Sequence, residues 1–126
     1  MATASTPEVP PELRSAVDAV LPGARTDLEA LVRIPSIWAD PAHAEDTRRS
    51  ADAVATLARE AGAATVDILA APGGAPAVVA HWPGPDGSPT VMLYAHHDVQ
   101  PTGGDELWTT APFEPCLLYT SDAADE

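Results

Sequence analysis

Residues Thr90 to Ala95 read TVMLYA, six positions without a charge, and His96, His97 and Asp98 follow directly. A run that is apolar on both sides of the pleat must be covered on both faces, which is the situation of a central strand in a layered α/β domain. This run therefore predicts a chain whose helices lie on a sheet, with Thr90–Ala95 inside that sheet and the histidines just past its carboxyl end.

The segments before it fit such a layering. PELRSAVDAVLPGARTDLEALVRI spaces Leu13, Val17, Val20, Leu21, Leu28, Leu31 and Val32 at three- and four-residue intervals, the stripe of an amphipathic helix. Pro22-Gly23 predicts either two helical pieces or one kinked there, because proline removes a ladder donor and clashes with the preceding turn. Ile34-Pro35-Ser36 ends this region, and a loop through His43 leads to Asp46 or Thr47 as an N-cap. A second helix, TRRSADAVATLAREAG, sets Ala51, Val54, Ala55, Leu57, Ala58 and Ala61 on one side and stops at Gly62. ATVDILA alternates as a half-buried strand does, PAVVAHW follows a Gly-Gly loop as a second, and PGPDGSP is a turn. Helices followed by strands predict an α/β domain with helices packed on a mixed sheet. Residues 1–10 have no apolar period and are expected to form a loose terminus.

Composition narrows the function classes. The chain has 126 residues, room for one domain or part of a larger one. Its formal charge of −13, with six arginines and no lysine, argues against nucleic acid, whose phosphates require clustered cations. No apolar run approaches the roughly 18 residues needed to span a bilayer, and the N-terminus lacks the basic-then-apolar pattern of a signal peptide. A cytoplasmic protein without membrane or nucleic-acid partners is the expectation, and Cys116, alone, forms no internal disulfide.

Ligands of open α/β sheets bind beyond the carboxyl ends of strands, where the histidines lie. If extended geometry persists, His96 and Asp98 share one face and His97 points to the other. Neutral imidazole is a common zinc ligand, and a neighbouring carboxylate fixes its ring and raises its basicity. This assigns His96 to a metal and Asp98 to its support. The competing reading is a strand-end His96 bonded to Asp98 in a capping turn, with His97 facing solvent or packing. His43 and His81 stand alone and read as structural. Asp105 and Glu106 are adjacent, face apart and read as a solvated loop, and the glycine-rich stretches lack a phosphate-loop pattern.

LYAHHDVQP, with Trp108 and the PFEP of Pro112–Pro115, resembles the N-terminal catalytic segment of the di-zinc aminoacylase, carnosinase and glutamate carboxypeptidase superfamily. EALVRIPSI and RRSADAVATLAREAGAATVDIL look like that family's opening helices and first strand, so the resemblance spans about Pro11 to Pro115. It implies that His96 binds one zinc and that Asp98 steers that ligand as part of the catalytic machinery. It also implies two Zn2+ ions, roughly 3.5 to 4 Å apart, that activate water to hydrolyse an amide bond while a glutamate moves the proton. A small peptide or an N-acyl amino acid is the implied substrate. HHDVQP with Trp108 and PFEP favours the dipeptidase branch over the deacylases, and the parent is expected to be a homodimer through a lid domain inserted later.

After PFEP the family continues with a DG.LYGRG stretch, a metal-bridging aspartate and further acidic and histidine ligands, whereas this chain reads CLLYTSDAADE. Those eleven residues back-translate into what looks like the transposase adapter of sequencing libraries. Residues 11–115 are accordingly expected to be a partial catalytic domain and 116–126 a non-native tail, so that Asp122, Asp125 and Glu126 are not metal ligands and the chain as given is inactive. The alternative from a different class is a small acidic α/β binding module without catalysis.

Overall fold

The computed structural model describes residues 9–117. The expected loose terminus and tail lie mostly outside that range, at 1–8 and 118–126. Helix α1 spans Pro11–Val32 and α2 spans Ala44–Glu60; strands β1, Thr65–Ala70, and β2, Pro76–His81, follow. Helix α2 thus covers a small sheet, an α/β arrangement, but among the described residues the sheet is a two-stranded antiparallel pair rather than a mixed one.

The pairing runs from Thr65 opposite His81 to Ala70 opposite Pro76. Proline opens β2, where its missing N–H is tolerated and its carbonyl stays available. Gly73 closes the connection at φ 75°, a left-handed value that a side chain would strain.

Helix α2 is the centre of the molecule. Glu45 and Asp46 occupy its first turn and Arg59 its last, complementing the helix dipole. Its N-cap is His43 rather than Asp46 or Thr47, because the short 3-10 turn Pro41–His43 starts the helix earlier. Asp46 instead accepts hydrogen bonds from Arg49 (2.7 Å) and His43 Nδ1 (2.9 Å). Thr47, Ser50, Ala51 and Ala55 form its buried face, and β1 and β2 lie against this helix. These are all small side chains, which lets the neighbouring backbone approach closely. Gly62, at φ 83°, follows the helix in the left-handed conformation expected of its terminator.

Two expectations are corrected. Helix α1, one continuous element through Pro22 rather than two pieces, was expected to lie on the sheet, yet none of its residues is buried; Leu13, Val17, Val20, Leu21 and Leu28 all remain exposed. More consequentially, Thr90–Ala95 forms no strand: Val91, Met92, Leu93 and Tyr94 are 77 to 92% exposed. Apolar, β-branched and aromatic residues favour a strand only when one lies alongside to take the ladder bonds. Among the described residues neither β1 nor β2 pairs with this run.

The buried core is correspondingly narrow, comprising Ile37, Ala51 and Ala55 with the polar Ser36, Thr47 and Ser50. Ala55 is fully enclosed, so Ala55→Leu is expected to cost about 1–3 kcal/mol through overpacking. Leu93→Glu, at an open position, should change stability by less than about 0.5 kcal/mol while reducing self-association. Denaturant titration and light scattering against concentration check the pair.

Candidate functional site

The loop after the apolar run is tied by its main chain to the segment that follows α1. Val99 N–H donates to the Ser36 carbonyl (3.0 Å) and Trp38 N–H to the Val99 carbonyl (3.3 Å), a single parallel bridge between Ile37 and Val99. Ser36 sits there because Pro35 disfavours the α conformation at Ile34 and so ends α1. The bridge brings residues 96–100 beside Trp38.

His96 and Asp98 face the same way and line an open pocket of about 250 Å³ together with Trp38, Tyr94, Val99 and Gln100. His96 Nδ1 lies 2.7 Å from the Asp98 main-chain carbonyl and 3.4 Å from its carboxylate Oδ1. The nearer partner is thus the backbone. A carbonyl only accepts, so in the neutral ring Nδ1 carries the proton and Nε2 keeps its lone pair. The side chain is 72% exposed, which leaves Nε2 accessible to a ligand.

His97 points the other way, into the fold. Its Nε2 is 3.0 Å from the Pro76 carbonyl and therefore carries the proton in the neutral ring; Nδ1 lies 3.2 Å from Ser50 Oγ. Nδ1 keeps a lone pair but faces the buried Ser50 hydroxyl, so His97 offers no nitrogen to the open pocket. The two adjacent histidines hold opposite tautomers, set by the carbonyl that each one faces.

The remaining residues singled out in the sequence are elsewhere. His43 pairs with Asp46 at the start of α2, His81 is an exposed strand end, and Asp105 and Glu106 form an exposed 3-10 turn with Leu107. Trp108 donates its indole N–H to the Thr102 carbonyl (2.9 Å). With Pro112, Glu114 and Pro115 it lines a second groove, of about 330 Å³, against Arg25, Leu28 and Val32 of α1. The two motifs that carry the family resemblance thus line separate depressions. Ser36, Ser50 and Pro76, which hold His97, were not singled out. A serine beside alanines on the apolar face of a helix is a signal for Ser50, since a buried hydroxyl needs a partner.

A catalytic zinc takes about three protein ligands plus water. Among the described residues no three His, Cys, Asp or Glu side chains come together as a metal group. His96 suits one ligand position, with its outer nitrogen open and its inner nitrogen held, but the described donor set does not complete a zinc site. No family model matches the chain, and neither a curated protein nor a solved structure does.

Titration of the 126-residue chain with zinc is therefore expected to show weak binding at most, and His96→Ala to remove whatever is present. Isothermal calorimetry on the two proteins checks this, and tight stoichiometric uptake would contradict it.

Proposed function

We propose that residues 11–115 are the N-terminal part of the catalytic domain of a di-zinc metallopeptidase, dipeptidase-like, acting in a cytoplasmic parent on a small peptide or an N-acyl amino acid. The observation that carries this reading is the pocket geometry at His96. Its Nε2 is open beside Asp98, Trp38 and Tyr94, while Nδ1 is held from behind. Two Zn2+ ions would supply activated water and polarise the scissile carbonyl in the parent. In this chain the share of that work is limited to one ligand, His96, and to Asp98, which with its own carbonyl orients the ring.

Two uncovered surfaces support the partial-domain reading. The Val91–Tyr94 run and the apolar stripe of α1 are both exposed, as faces built to receive further elements are. Bridging residues from a homodimeric parent, the second metal's ligands and the general base all belong to that missing portion under this proposal.

A second reading has its own observation. The 2.7 Å contact between His96 Nδ1 and the Asp98 carbonyl is what a local capping turn produces, and it suits a small acidic α/β binding module without metal. The two readings separate in one experiment. The contiguous gene downstream of Pro115 is recovered and the longer protein expressed. Chelator-sensitive hydrolysis of dipeptides or N-acyl amino acids by the longer protein, with negligible hydrolysis by residues 1–126, is the expected result. A 126-residue chain that is stable and monomeric alone, with no gain of activity on extension, favours the module.

A further inference from the structure

Two side chains 14 residues apart, each almost completely enclosed, converge on one oxygen atom. Ser36 is 2% exposed and Ser50 1%, and their hydroxyls donate to the His97 carbonyl at 3.0 and 2.8 Å. A carbonyl has two lone pairs, and here both are taken by buried donors from different elements. The ring of the same residue reaches β2 through Nε2 and the Pro76 carbonyl, 3.0 Å away. Its Nδ1 packs 3.2 Å from Ser50 Oγ, whose one proton goes to the His97 carbonyl. His97 is thereby fixed to α2, to β2 and to the segment after α1, while its neighbours on either side project into the open pocket.

We infer that His97 is a positioning residue: held by Ser36, Ser50 and Pro76, it sets the main chain between His96 and Asp98 and so dictates which nitrogen His96 presents outward. The physical link is short. The His96 ring is oriented by the Asp98 carbonyl, and that carbonyl lies one residue beyond the clamped His97 peptide. Val99 N–H, donating to the Ser36 carbonyl, secures the far side. If the clamp is released, the 96–98 backbone is free to turn and the Nδ1–H preference of His96 goes with it. As a contribution to metal binding the inference rests on the reading of His96 proposed above. As geometry it is measured on the metal-free chain.

The test reads ring tautomers of the whole chain by long-range ¹H–¹⁵N correlation at a pH of about 8.5, where an ordinary imidazole is neutral. The unchanged protein should show Nδ1–H for His96 and Nε2–H for His97. Combined Ser36→Ala and Ser50→Ala substitution should reduce His96 to an averaged mixture of tautomers. Ala55→Gly, a control that weakens α2 away from the clamp, should lower the melting temperature and leave the His96 pattern intact. Should the double variant not fold, His97 itself decides. His97→Gln, whose amide reaches toward Pro76 as Nε2 does, should retain the pattern, and His97→Leu should lose it.

An unaltered His96 pattern in the folded double variant or in His97→Leu would overturn the inference. So would equal loss in Ala55→Gly, which would reduce the clamp to general stability. Zinc, added alone to the longer protein that continues past Pro115, separates the two claims: no zinc response at His96 there removes the metal reading and leaves the metal-free result standing.

Discussion

The structure depends on how one peptide oxygen is satisfied. A buried carbonyl without donors costs about 1–3 kcal/mol, a large share of the stability of a small domain. The His97 oxygen avoids this with two serine hydroxyls, and those bonds are what join α2 to the Ser36–Trp38 segment and to the loop beyond the apolar run. Among the described residues every buried side-chain nitrogen and oxygen has a partner. With three apolar residues buried among those described, hydrogen bonds do much of the joining that a larger hydrocarbon core would otherwise do.

Much of the secondary structure was legible because it depends on local pattern. The alanine-rich face of α2, its Gly62 stop, and the two strands on either side of a glycine turn all appear where periodicity and turn chemistry put them. The boundary at His43 was missed because Asp46 looks like a cap in isolation; only the preceding Asp40–His43 turn uses that sequence space differently. Of the two alternatives that Pro22 left open, the single helix is the one formed, and Thr26 Oγ1 donates to the carbonyl of Pro22 on the same helix (3.2 Å).

Thr90–Ala95 departs furthest from its sequence pattern, and the reason lies in what a sequence encodes. Apolar character records which surface wants cover, whereas a strand also needs a neighbour's N–H and C=O groups, a property of whatever lies beside it. At the candidate site, the alternation that parts His96 and Asp98 from His97 was readable from spacing alone. The clamp was not, because Ser36 and Ser50 lie 61 and 47 residues from their acceptor and such separations leave no local trace.

Helix α1 presents a different consequence. It is 22 residues long, buries none of them, and meets the rest of the fold mainly near its carboxyl end, where Arg25, Leu28, Glu29 and Val32 border the 108–117 segment. A helix with so little cover opens at close to its own intrinsic free energy rather than that of the whole domain. The first two turns should then trade amide protons with solvent far sooner than α2, making α1 a separately melting arm on a body organised around a single clamped loop.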